Sequence, residues 1–153
     1  MGTQHIAVYD IATKTITHTA PERIGMLRIK DICFLNASQV ILCLTTDTPS
    51  DGVKYYDALI ALYKWNEGKF IYIQKVFLKN TQVDSVINKG NKVYVTAHSS
   101  SLHGLLHILE VKDNILTLCE SKACQNFPHG IDIYKNTLAY TSYTTSGIHF
   151  LTI

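Results

Sequence analysis

A chain of 153 residues with 46% hydrophobic and 17% charged side chains carries enough apolar material for one ordinary domain core. Its formal net charge of +2, with Lys and Arg scattered along the chain, argues against nucleic acid or an anionic membrane as partner. The longest purely apolar run, Ala58 to Tyr63, is far too short to cross a bilayer as a helix. Met1-Gly2-Thr3-Gln4-His5 lacks the basic start and apolar core of a signal peptide, so a cytoplasmic location is expected, with secretion the alternative.

Nine Tyr and five Phe against three Pro favour strands, and no window has a helical period. Taken in order, the chain begins with a strand over His5 to Ile11 and a second over Thr15 to His18. Ile29 to Leu35 turns at Asn36-Ala37-Ser38 into Gln39 to Thr46. Ala58 to Trp65 turns at Asn66-Glu67-Gly68 into Phe70 to Leu78. Val83 to Asn88 turns at Lys89-Gly90-Asn91 into Lys92 to His98. Leu105 to Val111 turns at Lys112-Asp113-Asn114 into Ile115 to Glu120. The last unit holds His129 to Tyr134, Thr137 to Tyr143 and Gly147 to Thr152. Asn, Asp and Gly stand where hairpin loops require them.

Three of these hairpins align, with Asp31, Asp84 and Gly130 set in register, and each of the first two is followed by another hairpin. Four antiparallel strands per unit at a period of about 40 to 50 residues is the pattern of a β-propeller blade. The expected fold is therefore all-β: antiparallel four-stranded blades of a β-propeller in one domain, with units at about 1–20, 28–79, 82–121 and 128–153. About three blades are fewer than the four to eight that close a ring. The expectation is a partial ring, or one completed by a protein partner or by self-association into a homo-oligomer; a β-sandwich is the alternative.

Phe127-Pro128-His129-Gly130-Ile131-Asp132-Ile133, with Asn136 to Thr141 and Ile148-His149-Phe150, resembles blades of the gluconolactonase/paraoxonase group and its NHL relatives. That resemblance implies a propeller fold and, for the lactonases, a calcium-dependent hydrolase. The residue before the glycine is often a calcium-binding Asn there, and here it is His129, a poor partner for a hard cation. Tyr63-Lys64-Trp65-Asn66, Gly68-Lys69-Phe70 and Gln74 resemble an EAR (EPTP) repeat, which implies a protein-binding module. WD40 proteins share the architecture, but no Gly-His and Trp-Asp pair is present.

In a propeller the connections entering the inner strands and those leaving the second strands share one face. That face is expected to gather Lys30, Asp31, Asp84, Pro128 and His129 with Asp47, Asp51, His98, His103, Tyr143 and Thr144, of which Asp31, Asp84, Asp47, Asp51, His98 and Tyr143 are the candidate ligand-binding residues. Asp31 and Asp84 are the candidate metal ligands, for calcium, and His129 is the candidate catalytic base. The plainer reading gives each Asp a turn to cap. His98, His103 and His107 match no zinc spacing. Trp65 and Tyr63 are candidate partner-binding anchors, or core residues between blades. Cys33 and Cys43 lie in apolar runs and are expected in the core, while Cys119 and Cys124 carry no metal or redox pattern. There is no Gly-x-Ser-x-Gly elbow and no phosphate-binding glycine loop. The expected function is a binding or scaffold module; the alternatives are a metal-dependent lactonase-like hydrolase and a non-catalytic piece of a larger propeller.

Overall fold

A computed structural model of the protein describes residues 5–22, 27–45 and 57–153. Over those residues the chain forms thirteen strands and no helix. A two-stranded sheet comes first, β1 (Ile6–Asp10) with β2 (Thr15–Thr19). Next is a four-stranded sheet of β3 (Arg28–Phe34), β4 (Gln39–Thr45), β5 (Ala58–Asn66) and β6 (Lys69–Leu78). A second one holds β7 (Thr81–Lys89), β8 (Lys92–Ser99), β9 (Gly104–Lys112) and β10 (Ile115–Cys124). The last sheet has three strands, β11 (Pro128–Tyr134), β12 (Thr137–Ser142) and β13 (Gly147–Thr152). Every pairing is antiparallel between strands consecutive in the chain, as in propeller blades.

Turn chemistry sets these hairpins. Asn36 Oδ1 accepts hydrogen bonds from the N–H groups of Ser38 and Gln39 at 2.9 Å, which closes the β3–β4 loop. Asp113 and Asn114 both lie at positive φ, 52° and 63°, the twist that a two-residue hairpin loop needs between β9 and β10. Gly104 is fixed by crowding instead, since a Cβ there would collide with the Gln125 carbonyl oxygen.

The sheets stack face to face, and this explains the near-continuous apolar sequence of β4 and β5. Ile41, Cys43, Ile60 and Leu62 pack toward Val83, Val93, Val95 and Leu109 of the following sheet. The alternate residues Val40, Leu42, Leu44 and Tyr63 pack on the other side with Leu27 and Phe70, where Ile6 of β1 joins them. Tyr94 and Leu106 meet Leu138 and Tyr140 of the last sheet in a third cluster. Since successive residues of a strand face opposite ways, a strand between two neighbours must be apolar throughout.

Polar bonds lock adjacent sheets in register. The Asp31 carboxylate accepts from its own sheet at Ile32 N and from β7 at Val86 N, both at 2.8 Å. The Gln74 amide grips Leu116 of the next sheet, accepting from its N–H at 2.9 Å and donating to its carbonyl at 3.1 Å. Leu116 is buried, so no solvent replaces those bonds. Gln74→Ala should therefore destabilise the protein by about 1–3 kcal/mol in urea denaturation, the cost of leaving buried backbone groups unpaired.

His107 on β9 is buried, with Nδ1 at 2.7 Å from Ser121 Oγ and, among the described residues, no hydrogen bond at Nε2. Burial holds its pKa below the ordinary 6.5, so the folded protein keeps the ring neutral where the unfolded chain takes up a proton. Its contribution is complete above pH 6.5 and is lost as pH falls below that value. The Tm of His107→Gln should accordingly fall less than that of the wild type as pH drops below 6.5, measured by scanning calorimetry.

Candidate functional site

The inner strands β3, β7 and β11 lie side by side. Each contains one extra residue near its start. Ile29 stands opposite Leu44 and Asp31 opposite Cys43, which leaves Lys30 unpaired. Val83 faces Ala97 and Ser85 faces Thr96, which leaves Asp84. Pro128 faces Ser142 and Ile131 faces Tyr140, so His129 and Gly130 share Thr141. A β-bulge of this kind re-aims the side chain it frees. Lys30, Asp84 and His129 are thus the equivalent residues of three neighbouring sheets, and Asp31 is equivalent to Ser85. The expected alignment of Asp31 with Asp84 is off by one residue.

Asp84 is the centre of the cluster. Its side chain is only 6% exposed, and Oδ2 makes no hydrogen bond among the described residues. His98 Nε2, from the end of β8, lies 3.8 Å from Oδ2. His129 Nε2 lies 3.7 Å from Oδ1. Burial pushes the Asp84 carboxyl above its ordinary range, opposed by His129, His98 and Lys30 in that order. The His98 ring is oriented from behind, with Nδ1 at 3.2 Å from the Ser99 carbonyl oxygen. The backbone of His129 is held by Thr96 Oγ1, which donates to its carbonyl at 2.7 Å.

Phe127 completes the arrangement. Its ring stacks on His98 at 4.4 Å and on His129 at 5.9 Å, while Tyr143 meets the His129 ring edge-on at 4.3 Å. The Phe127 backbone has φ of 52°, an uncommon conformation for a bulky residue, and costlier still before proline. Two backbone bonds hold it there: its N–H donates to Leu102 O at 3.3 Å, and its carbonyl accepts from Tyr143 N at 3.1 Å. Tyr143 is 68% exposed at the mouth of the cluster. His129 and Tyr143 border a pocket of about 330 Å³ with Thr141, Ser142, Ser146, Gly147 and Ile148. A larger cavity of about 400 Å³ lies elsewhere, between β8–β10 and the chain's final residues.

Four of the expected site residues, Asp84, His98, His129 and Tyr143, are therefore brought together. Asp31 stands apart from them in function, because both its oxygens serve backbone N–H groups, one of them on β7. Asp47 and Asp51 lie outside the described residues. No group of three or more His, Cys, Asp or Glu side chains is placed to hold a metal ion among the described residues. His103 Nδ1 is 3.3 Å from Ser101 Oγ in its loop, and His107 Nδ1 is 2.7 Å from Ser121 Oγ. Tyr63 corrects the partner-binding expectation. It is fully buried, its hydroxyl donates to Glu22 O at 2.7 Å, and it packs edge-on against Phe70 and Tyr72, so it is no surface anchor. Trp65 is half-buried against Phe34 and Phe70. Phe127 is the member of the cluster that was not expected on this face.

No family model and no curated protein matches this chain. Among solved structures it is similar to a protein from Lactobacillus plantarum, at 11% identity and a TM-score of 0.43, over 97% of this chain and 61% of that one.

A carboxyl whose pKa is raised by burial stabilises the fold fully below its ordinary 3.8, and that contribution is lost as pH rises toward its folded value. Asp84→Asn should consequently raise the Tm at neutral pH, by about 2–4 °C for each kcal/mol of relieved desolvation. Calorimetry at decreasing pH should find the gain disappearing as the wild-type carboxyl becomes neutral.

Proposed function

We propose that the protein is a propeller-like binding module whose ligand face is the end of the inner strands where Asp84, His98, Phe127, His129 and Tyr143 meet. One observation carries this reading. Side chains from β7, β8, β11 and two loops converge on a buried carboxylate whose Oδ2 makes no hydrogen bond among the described residues, beside a pocket of about 330 Å³. Burying an incompletely compensated charge is unfavourable for folding, and polar groups gathered in this way at a concave surface are the usual mark of a binding site. The cluster also lies where residues distant in sequence meet, at the ends of well-packed strands that fix its geometry.

Binding is favoured over catalysis by the state of the nearby hydroxyls. Ser142 Oγ donates to Asn126 O at 2.7 Å and Thr144 Oγ1 to the same oxygen at 2.9 Å, so both are engaged in holding the loop. Neither is set as a nucleophile against His129. The calcium-hydrolase alternative loses Asp31 to its backbone bonds and has no specific support in the site.

A fragment library screened by ¹H–¹⁵N NMR on the whole chain tests the proposal. Hits should shift the amides of His129, Tyr143 and Ile148 first, and Tyr143→Ala should weaken them by about tenfold, the loss of one good aromatic contact. Hits that all map to the larger cavity between β8–β10 and the final residues, with these three amides unmoved, would sink it.

A further inference from the structure

The pocket beside His129 has a one-sided chemistry. No acidic side chain lines it, and the Thr141, Tyr143 and Ser146 hydroxyls make no hydrogen bond among the described residues. His129 turns Nε2 toward Asp84, which leaves Nδ1 as the ring's uncommitted polar atom. The carboxylate that would balance a protonated His129 is buried on the protein side of the ring, 6% exposed against 37% for His129. The carboxyl group is thus enclosed and the imidazole ring lies nearer the surface. Two apolar surfaces complete the pocket: the exposed ring of Tyr143 and the side chain of Ile148, 63% exposed.

We infer that this pocket binds a small ligand bearing a carboxylate, which is taken by protonated His129 and by the Thr141 and Ser146 hydroxyls, while the ligand's apolar part rests on Tyr143 and Ile148. The inference rests on the binding-module reading and adds the chemistry of the ligand. A single imidazolium matches a single negative charge. A phosphate dianion calls for guanidinium or ammonium groups, and neither lines the pocket. A neutral amide of the same shape still finds hydroxyl partners but forfeits the charge-assisted hydrogen bond, which is about twice as strong as a neutral one. Asp84 acts here as a positioning residue, holding the ring so that Nδ1 remains for the ligand.

The test titrates the full chain with benzoate and with benzamide at about pH 6, where imidazole carries charge, following ¹H–¹⁵N spectra. Benzoate should shift the amides of His129, Tyr143 and Ile148 and bind about tenfold tighter than benzamide. His129→Gln should abolish that preference. Ser146→Ala, on a surface turn, should reduce it and serves should His129→Gln fail to fold. N-acetylphenylalanine binding more tightly than benzoate would support the carboxylate site and assign it to a chain terminus. Equal affinity for benzoate and benzamide, or benzoate shifts centred elsewhere, would overturn the inference. Library fragments that still moved the same amides would then leave the binding-module reading standing, whereas amides that no ligand moved would remove both.

Discussion

One unpaired residue at the same point of β3, β7 and β11 decides what this molecule presents at the end of its inner strands. A regular strand sends alternate side chains to its two faces, and β7, between two neighbouring sheets, packs Val83 and Val86 on one side and Ile87 on the other. A polar side chain in such a strand has no exit. The bulge supplies one, by adding a residue that belongs to neither face. Lys30, Asp84 and His129 owe their placement to it. Because the three strands lie side by side, the three freed side chains are neighbours in space although far apart in sequence. The same device works in an outer strand, where Cys119 is the extra residue opposite the Leu109–Ile108 step and is exposed.

The bulges are useful only if the sheets hold a fixed register with one another, and apolar packing alone is a poor ruler. Polar bonds between sheets supply the precision. Asp31 reaches Val86 N, two residues beyond Asp84, and Thr96 reaches the carbonyl of His129. These bonds tie the backbone on either side of the cluster to the neighbouring sheets. At the opposite end of the inner strands, Lys89 Nζ donates to Asn136 Oδ1 at 2.6 Å, and Cys33 Sγ donates to Asn88 Oδ1 at 3.0 Å. The inner strands are thus fixed at both ends, and an imidazole and a carboxylate from different sheets face each other at 3.7 Å.

Strand order and hairpin turns were legible in the sequence because they depend on local chemistry. Alternating or continuous apolar runs and Asn, Asp and Gly at turns are properties of short windows. β10 extends to Cys124, beyond the expected end at Glu120, because an outer strand with exposed residues from Thr117 to Ala123 needs no apolar pattern to form. The bulges leave no such trace. Nothing in Ile29-Lys30-Asp31 or Val83-Asp84-Ser85 says which residue is extra, and aligning the two Asp residues was the natural choice by type. It set Asp31 in the place that belongs to Lys30. Phe127 escaped for a related reason, since a residue before proline is expected to be extended and its φ of 52° is imposed by loop bonds from Leu102 and Tyr143. Tyr63 looked like a surface aromatic only because the two-sided burial of β5 is a fact about neighbours.

Two local features of the cluster run against folding, and both sit beside the same pocket. Asp84 is buried with one oxygen that makes no hydrogen bond among the described residues, and Phe127 takes a backbone conformation that costs about 1–3 kcal/mol. Neither is needed to close the core, since the three apolar clusters contain neither residue. What each does is orient a ring. Asp84 faces the Nε2 atoms of both His98 and His129, and Phe127 stacks on the same two imidazoles, so its ring and the carboxylate constrain the pair from different sides. Stabilisation gained elsewhere is thus spent on fixing His129 at the border of a solvent-facing pocket. A ring held in that way needs little further ordering when a ligand arrives, so most of the contact energy remains for affinity.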